Sequence, residues 1–379
     1  MKLKGAEVLY PEGFDQRPVS LVGGVIAEQS GGPVVDLSGY RVLPGIIDMH
    51  GDGFERHIAP RRGVMRDLGQ GLMSVDAELA ANGITTAMLA QFFSWEGGMR
   101  GRDFAERFCM ALAEARASLL TDMHLQLRFE THLLDDYDRF EALVAESGAR
   151  VVVFNDHVPH DALSKGKRPP RLTGQALKSG RSPDAHLAFL QDLHRRSDEV
   201  PEAVSKLATR LAAKRVLLGS HDDRTAEARL AWRSIGVKMS EFPETKAAAQ
   251  AAHEAGDPVV LGAPNVVRGG SHSGNVSAAE LLQAGVGDAL ASDYHYPAIR
   301  QAMMRLVAEG VLDFAGAWKL VSETPARILG LGDRGQLVPG LRADLVVMEP
   351  ETGRIGATIC GGRISHMAGE VAARFLAAQ

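Results

Sequence analysis

After residue 42, eight short apolar runs alternate with longer segments rich in alanine, leucine and glutamate, and this alternation restricts the fold more than any other property. The runs are Val42–Met49, Ile84–Ala90, Leu125–Phe129, Arg150–Phe154, Arg215–Leu218, Val237–Ser240, Pro258–Leu261 and Asp288–Ala291. Intervening stretches such as Asp103–Ser118 and Pro201–Ala213 have the composition of helices. Eight strand–helix units predict an α/β fold, a (β/α)8 TIM-type barrel over residues 43–333.

The two ends of the chain read differently. Glu7–Tyr10, Ser20–Val22 and Gly24–Ala27 are short strands broken by Pro11, Gly13 and Gly31-Gly32-Pro33. Strand patterning returns after residue 334, in Gly335–Leu337, Ala343–Met348 and Ile355–Ile364. Residues 1–42 and 334–379 are therefore expected to pair as a small β domain. Residues 157–187 lack periodicity and carry Lys165, Lys167, Arg168, Arg171, Lys178 and Arg181, which reads as a basic loop over the barrel mouth.

At 379 residues the chain can bury a large core, and a net charge of −5 gives no global attraction for nucleic acid or anionic membrane. An anionic substrate must be met by local cations. Cys109 and Cys360 form no zinc motif and no disulfide framework. The N-terminus lacks the apolar run of a signal peptide and no stretch has the length of a membrane span, so a cytoplasmic location is expected. The partner expected is a small molecule, with self-association into a homo-oligomer left open.

Barrel enzymes carry their chemistry at the C-terminal ends of the strands. The first run continues as Met49-His50-Gly51-Asp52, two metal-capable side chains two residues apart and so on one face. The third run leads to Glu130, the fourth to His157, the fifth to His221 and the eighth to Asp293. His50, Asp52, Glu130, His157, His221 and Asp293 suit two divalent metals, zinc or manganese, with Glu130 as a bridging carboxylate. Asp293 is the candidate catalytic base. Asp156, Asp222 and Asp223 are candidates for orienting imidazoles. His132, His160, His194, His253 and His366 read as polar caps or surface residues.

The segment after the seventh run, Gly262 to Asn275, combines glycines with Asn265, Arg268, Ser271 and His272, a composition suited to binding an anion. Arg61, in Pro60-Arg61-Arg62, is a further candidate for substrate binding.

Leu43–His50 near the start and Gly340–Val347 near the end resemble the amidohydrolase superfamily. Within it, Gly219-Ser220-His221-Asp222-Asp223, Glu241-Phe242-Pro243 and Gly262–Asn275 resemble the PhnM family, as does His-x-Asp in place of His-x-His. That family comprises the α-D-ribose 1-methylphosphonate 5-triphosphate diphosphatases of the carbon–phosphorus lyase pathway. The resemblance implies a metal-dependent hydrolase yielding the 5-phosphate and pyrophosphate. It also departs from the family pattern. His50-Gly51-Asp52-Gly53 stands in place of His-Thr-Asp-Asn, His57 replaces an apolar residue, and Asp293-Tyr294-His295-Tyr296-Pro297-Ala298 is one residue longer than usual. The rival enzyme reading is C–N bond cleavage by a deacetylase or cyclic amidase with the same metal site. A third reading, a scaffold that has lost its metals, predicts missing ligands, and none of the six is missing.

Overall fold

The computed structural model describes residues 1–61, 67–270 and 275–378. Eight strands form one sheet in chain order: β1 (Ile46–Gly51), β2 (Ile84–Phe93), β3 (Asp122–Glu130), β4 (Val151–Asn155), β5 (Leu217–His221), β6 (Met239–Glu241), β7 (Val259–Gly262) and β8 (Ala289–Ala291). Every residue of β1 and β4 is buried, as parallel strands covered on both faces require. With helices following the strands and mixed sheets drawn from both chain ends, the fold is the expected (β/α)8-type barrel with a β domain.

The chain divides into two compact units, Met1–Leu89 with Ala115–His124 and Pro258–Gln379, and Ala90–Glu114 with Leu125–Asp257. The first holds the β domain. Arg363–Met367, Ile355–Cys360, Leu345–Met348, Arg41–Pro44, Glu7–Tyr10 and Gly13–Asp15 form one sheet in that order, so strands from the two chain ends lie side by side. Leu3, Val8, Val42, Leu345 and Ile359 are core residues there. The same unit brings β8 to β1: the Asp293 amide donates to the His50 carbonyl at 2.9 Å, and the Asp52 amide donates to the Asp293 carbonyl at 2.9 Å.

The second unit carries β3 to β6 and amphipathic helices. Val200–Ala213 buries Val204, Leu207, Ala208 and Leu211 at helical spacing, with Pro201 in its first turn where a missing N–H costs nothing.

Four sequence expectations change. The first run is two strands, Arg41–Pro44 in the β domain and β1 in the barrel, because Gly45 separates them. A Cβ at Gly45 would lie 2.2 Å from Thr85 Oγ1, so only glycine fits the crossing. Ile355–Ile364 is likewise a hairpin, turning at Gly361 and Gly362, which have φ of 55° and 74°. Gly335–Leu337 forms no strand; Gly335 sits at φ 93° and Leu337 packs into the β-domain core as irregular chain. The basic segment is mostly helical: His160–Ser164, Leu172–Lys178 and Pro183–Arg195. Ser182 caps the last of these by accepting from the Ala185 amide; Leu172 and Ala176 are buried in the second helix, and His186, Leu190 and Leu193 in the third, where a histidine stands at one position of the buried face.

Gly45→Ala is expected to destabilise the protein by about 1–3 kcal/mol, the usual cost of overpacking. Thr85→Ala in the same chain should restore part of the loss, because it removes the two side-chain atoms nearest the new methyl group. Thermal or urea unfolding of the single and double variants measures this; additive losses would show that the contact is not the cause.

Candidate metal centre

In the first unit, β1 delivers His50 and Asp52 and the exit of β8 delivers Asp293. Their placement rests on Asp48, a buried carboxylate inside β1 that accepts from the Ser292 amide at 2.9 Å and the Ser292 hydroxyl at 2.5 Å. Burial pushes the Asp48 carboxyl above its ordinary pKa, and the Ser292 donors pull it back only in part. Asp293 itself has φ 56°, a left-handed conformation that aspartate tolerates better than most residues. His50, Asp52 and Asp293 each offer a ligand atom within 4.8 Å of the others.

The glycines of His50-Gly51-Asp52-Gly53 have a steric cause. A Cβ at Gly51 would lie 2.7 Å from Asp48 Oδ2 and 2.8 Å from Tyr296 Cε1, and one at Gly53 would lie 3.2 Å from Tyr296 Cε2. Tyr296, in the lengthened Asp293–Ala298 segment, is fully buried against both positions. Tyr296 thus takes part of the space a side chain would need at both positions, with Asp48 also limiting Gly51 and Arg56 also limiting Gly53. His57 makes a third local change, pairing with Glu78 beside Arg56, whose guanidinium also donates to the Tyr294 carbonyl at 2.9 Å.

In the second unit, Glu130 closes β3 and is fully buried. One of its oxygens pairs with His157 Nδ1, and the other accepts from Trp95 Nε1 at 3.2 Å and from the His157 amide at 3.1 Å. Burial acts to raise the Glu130 carboxyl, but His157 outweighs it and the net shift is downward. Burial acts to lower His157, and Glu130 outweighs that in turn. Glu96, Glu130 and His157 present ligand atoms within 4.8 Å of one another. Glu130 and His157 would hold a metal here in the carboxylate and neutral imidazole forms, so its uptake would release any proton they carry.

His221 closes β5, and its Nδ1 lies 2.8 Å from Oε2 of Glu241 at the end of β6. The other Glu241 oxygen accepts from Gln126 Nε2 at 2.6 Å. Burial depresses the His221 pKa, which favours the neutral, metal-binding ring. Asp222 and Phe242, the residues after these two ends, have φ of 60° and 54°, and strain of this kind gathers at functional sites. Asp223 turns away from the imidazoles: it accepts from Ser220, Ser240 and the fully buried Arg229, a brace beneath β5 and β6.

Glu96 and Glu241 were absent from the expected ligand set. Glu241 was readable, since it follows the Val237–Ser240 run by the rule that selected the others. Glu96 was not, because β2 ends three residues earlier and Trp95 and Glu96 are placed by tertiary packing.

The segment after β7 differs from a glycine loop. Ala263–Arg268 is a short helix with Pro264 in its first turn, ended by Gly269 at φ 78°. The Asn265 amide holds the chain together, donating to the Val276 carbonyl at 3.1 Å and accepting from the Ala278 amide at 3.0 Å. Arg268 is exposed and donates to the Tyr294 hydroxyl, one residue along from Asp293. Arg61 is exposed. Ser271 and His272 lie outside the described residues. In the basic segment, Arg168 pairs with Asp184 at 2.7 Å and Arg181 stacks on Phe189, so two of its cations are engaged within the protein.

Imidazole and carboxylate donors at these spacings fit divalent transition metals. The chain belongs to the amidohydrolase family, whose model matches residues 77–366, and it is accordingly a hydrolase of that superfamily. Among known proteins it is similar to the alpha-D-ribose 1-methylphosphonate 5-triphosphate diphosphatase of Escherichia coli (strain K12), with 34% identity over 324 residues, 83% of this chain and 84% of that one. Crystal structures with the same fold include an amidohydrolase, with TM-score 0.68 and 14% identity over 97% of this chain and 99% of that one. Another is the N-acetylglucosamine-6-phosphate deacetylase of Thermotoga maritima, with TM-score 0.61 and 16% identity over 97% of this chain and 100% of that one.

Glu241→Gln is expected to leave the fold intact and to weaken zinc binding about 10–100-fold, the usual effect of removing the partner of a ligating histidine. Competition with a chromophoric chelator measures it. Unchanged affinity would show that Glu241 has no hold on a metal ligand.

Proposed function

We propose that this protein hydrolyses α-D-ribose 1-methylphosphonate 5-triphosphate to the 5-phosphate and pyrophosphate, as a step in phosphonate degradation. The observation that carries the reading is the 34% identity along 324 residues to the Escherichia coli enzyme of that name. Its metal content is two divalent ions, of the zinc class with manganese as the alternative. One is held by His50, Asp52 and Asp293, the other by Glu130 and His157 with His221. When bound, the metals supply Lewis acidity toward a phosphoryl oxygen and lower the pKa of water from 15.7 to about 7.

The reaction breaks the P–O bond between the α-phosphorus and the bridging oxygen and forms a new one from water to the α-phosphorus. Asp293 takes a proton from the attacking water; its backbone is fixed by two hydrogen bonds to the end of β1, so the carboxylate is aimed before substrate arrives. Arg268, whose guanidinium donates to the hydroxyl of Tyr294, meets the charge that grows on the departing pyrophosphate. Asn265 holds the Arg268 helix to the chain that follows it. Arg61, Ser271 and His272 complete the proposed substrate contacts. Residues 43–333 serve as the catalytic barrel and 1–42 with 334–379 as the β domain. The expected setting is cytoplasmic, without nucleic-acid or membrane partners. Among the described residues no helix is long and apolar enough to cross a membrane.

The test is release of pyrophosphate from the triphosphate, run beside a panel of amides, lactams and N-acetyl sugars. Turnover of the amide panel alone would overturn the proposal in favour of C–N cleavage. Asp293→Asn should fold normally and lose roughly 10²–10⁴-fold in kcat, the contribution of a positioned base. Retention of most of the rate would assign the proton to another group.

Arg268→Ala should lower kcat/KM on the triphosphate by about tenfold to a hundredfold or more, since a charge-assisted hydrogen bond is worth roughly 1.5–3 kcal/mol. Arg268→Lys should recover only part, because an ammonium cannot make the bidentate contact. An equal loss on unphosphorylated substrates would make Arg268 a structural residue.

A further inference from the structure

The second unit contains a cluster that neither ligand set uses. His132, Asp156 and His160 each present a ligand atom within 4.8 Å of the others. His132 Nδ1 lies 3.4 Å from Asp156 Oδ1, and His160 Nε2 lies 3.1 Å from Asp156 Oδ2. Donors around a tetrahedral zinc ion, each about 2.0–2.1 Å from the metal, sit roughly 3.3 Å apart, close to both spacings.

Hydrogen bonding around the cluster sets up the rings for a cation. Ser197 gives its hydroxyl proton to the His194 carbonyl at 2.6 Å, so toward His132 Nε2, at 3.3 Å, its oxygen acts as the acceptor. That places the His132 proton on Nε2 and turns the Nδ1 lone pair toward the Asp156 carboxylate. Thr131 does not resolve the encounter, because its hydroxyl donates to the Asn155 carbonyl at 3.2 Å. A lone pair facing a carboxylate oxygen is repulsive unless a metal ion or a second ring proton lies between them. On the other side, His160 Nδ1 lies 2.7 Å from His194 Nδ1. With His160 Nδ1 carrying a proton, His194 accepts it and leaves His160 Nε2 free to bind, the arrangement by which outer partners orient metal-binding histidines.

The same residues line a cavity of about 700 Å³ whose other walls are mostly apolar, including Val200, Val204, Trp232 and Ile235. His132 is buried while Asp156 and His160 are partly open, so an ion can enter.

We propose that His132, Asp156 and His160 bind a divalent ion of the zinc class, with His194 as a positioning residue that orients His160. The site does not depend on the proposed reaction. Two nitrogens and one oxygen from the protein leave a fourth position for water or a cavity ligand.

Metal-stripped full-length protein, titrated with zinc chloride and desalted, is assayed for bound zinc per chain. His132→Gln and His160→Gln should each bind one equivalent fewer than wild type. Asp52→Asn should reduce a different equivalent, so that Asp52→Asn combined with His160→Gln shows both losses. His194→Gln should keep the stoichiometry at saturation and weaken that equivalent about 10–100-fold. Asp156→Asn, nearly isosteric, repeats the measurement if a histidine variant misfolds. Wild-type stoichiometry and affinity in His132→Gln, His160→Gln and Asp156→Asn would overturn the proposal and leave a shared proton as the occupant. Failure of the Asp52→Asn loss with the histidine losses intact would count against the catalytic reading alone.

Discussion

The proposed catalytic groups of the first unit depend on one buried carboxylate. Asp48 accepts from the backbone and hydroxyl of Ser292 and, at 3.3 Å, from the His50 amide. A carboxylate in that setting is costly to bury, and its oxygens are useful there because they can fasten β1 to the exit of β8. Through that attachment the His50 carbonyl receives the Asp293 amide, the Asp293 carbonyl receives the Asp52 amide, and Asp293 is kept in a left-handed conformation. The backbone at three metal-capable residues is thereby fixed before any ligand is considered. The brace of Asp223, Ser220, Ser240 and Arg229 plays a comparable part under β5 and β6 in the second unit.

The barrel was legible because its information is local. A strand buried on both faces reads as an apolar run, and each of the eight runs corresponds to a strand. The strand-end rule also found Glu130, His157 and His221 where the chain leaves β3, β4 and β5. Run length alone could not reveal that Val42–Met49 changes sheets at Gly45, because the reason is the distant Thr85 side chain. The helices between 160 and 195 were hidden for a different reason: the first two are only five and seven residues long, and the buried face of the third includes His186.

The least legible features are polar contacts between residues far apart in sequence. Trp95 reaches Glu130 across 35 positions, and Gln126 reaches Glu241 across 115. The histidines at 132, 160 and 194 read singly as caps. Only the fold brings His160 and His194 within 2.7 Å and places both near Asp156. Asn265, expected as a substrate contact, has a further role that composition could not show: its amide holds the backbone at 276 and 278.

The packing of Tyr296 against Gly51 and Gly53 also bears on how such a chain can change. The ring and the two missing side chains occupy the same space, although they are separated by more than 240 positions. A side chain cannot be added at Gly51 without a collision next to the strand that carries His50 and Asp52. Recombination between this chain and a homologue with threonine at the first glycine would join mismatched halves wherever the crossover fell between the two segments. A side chain at Gly51 would need room from Asp48 as well as from Tyr296, so a change of barrel mouth involves the β1–β8 attachment and not the aromatic alone.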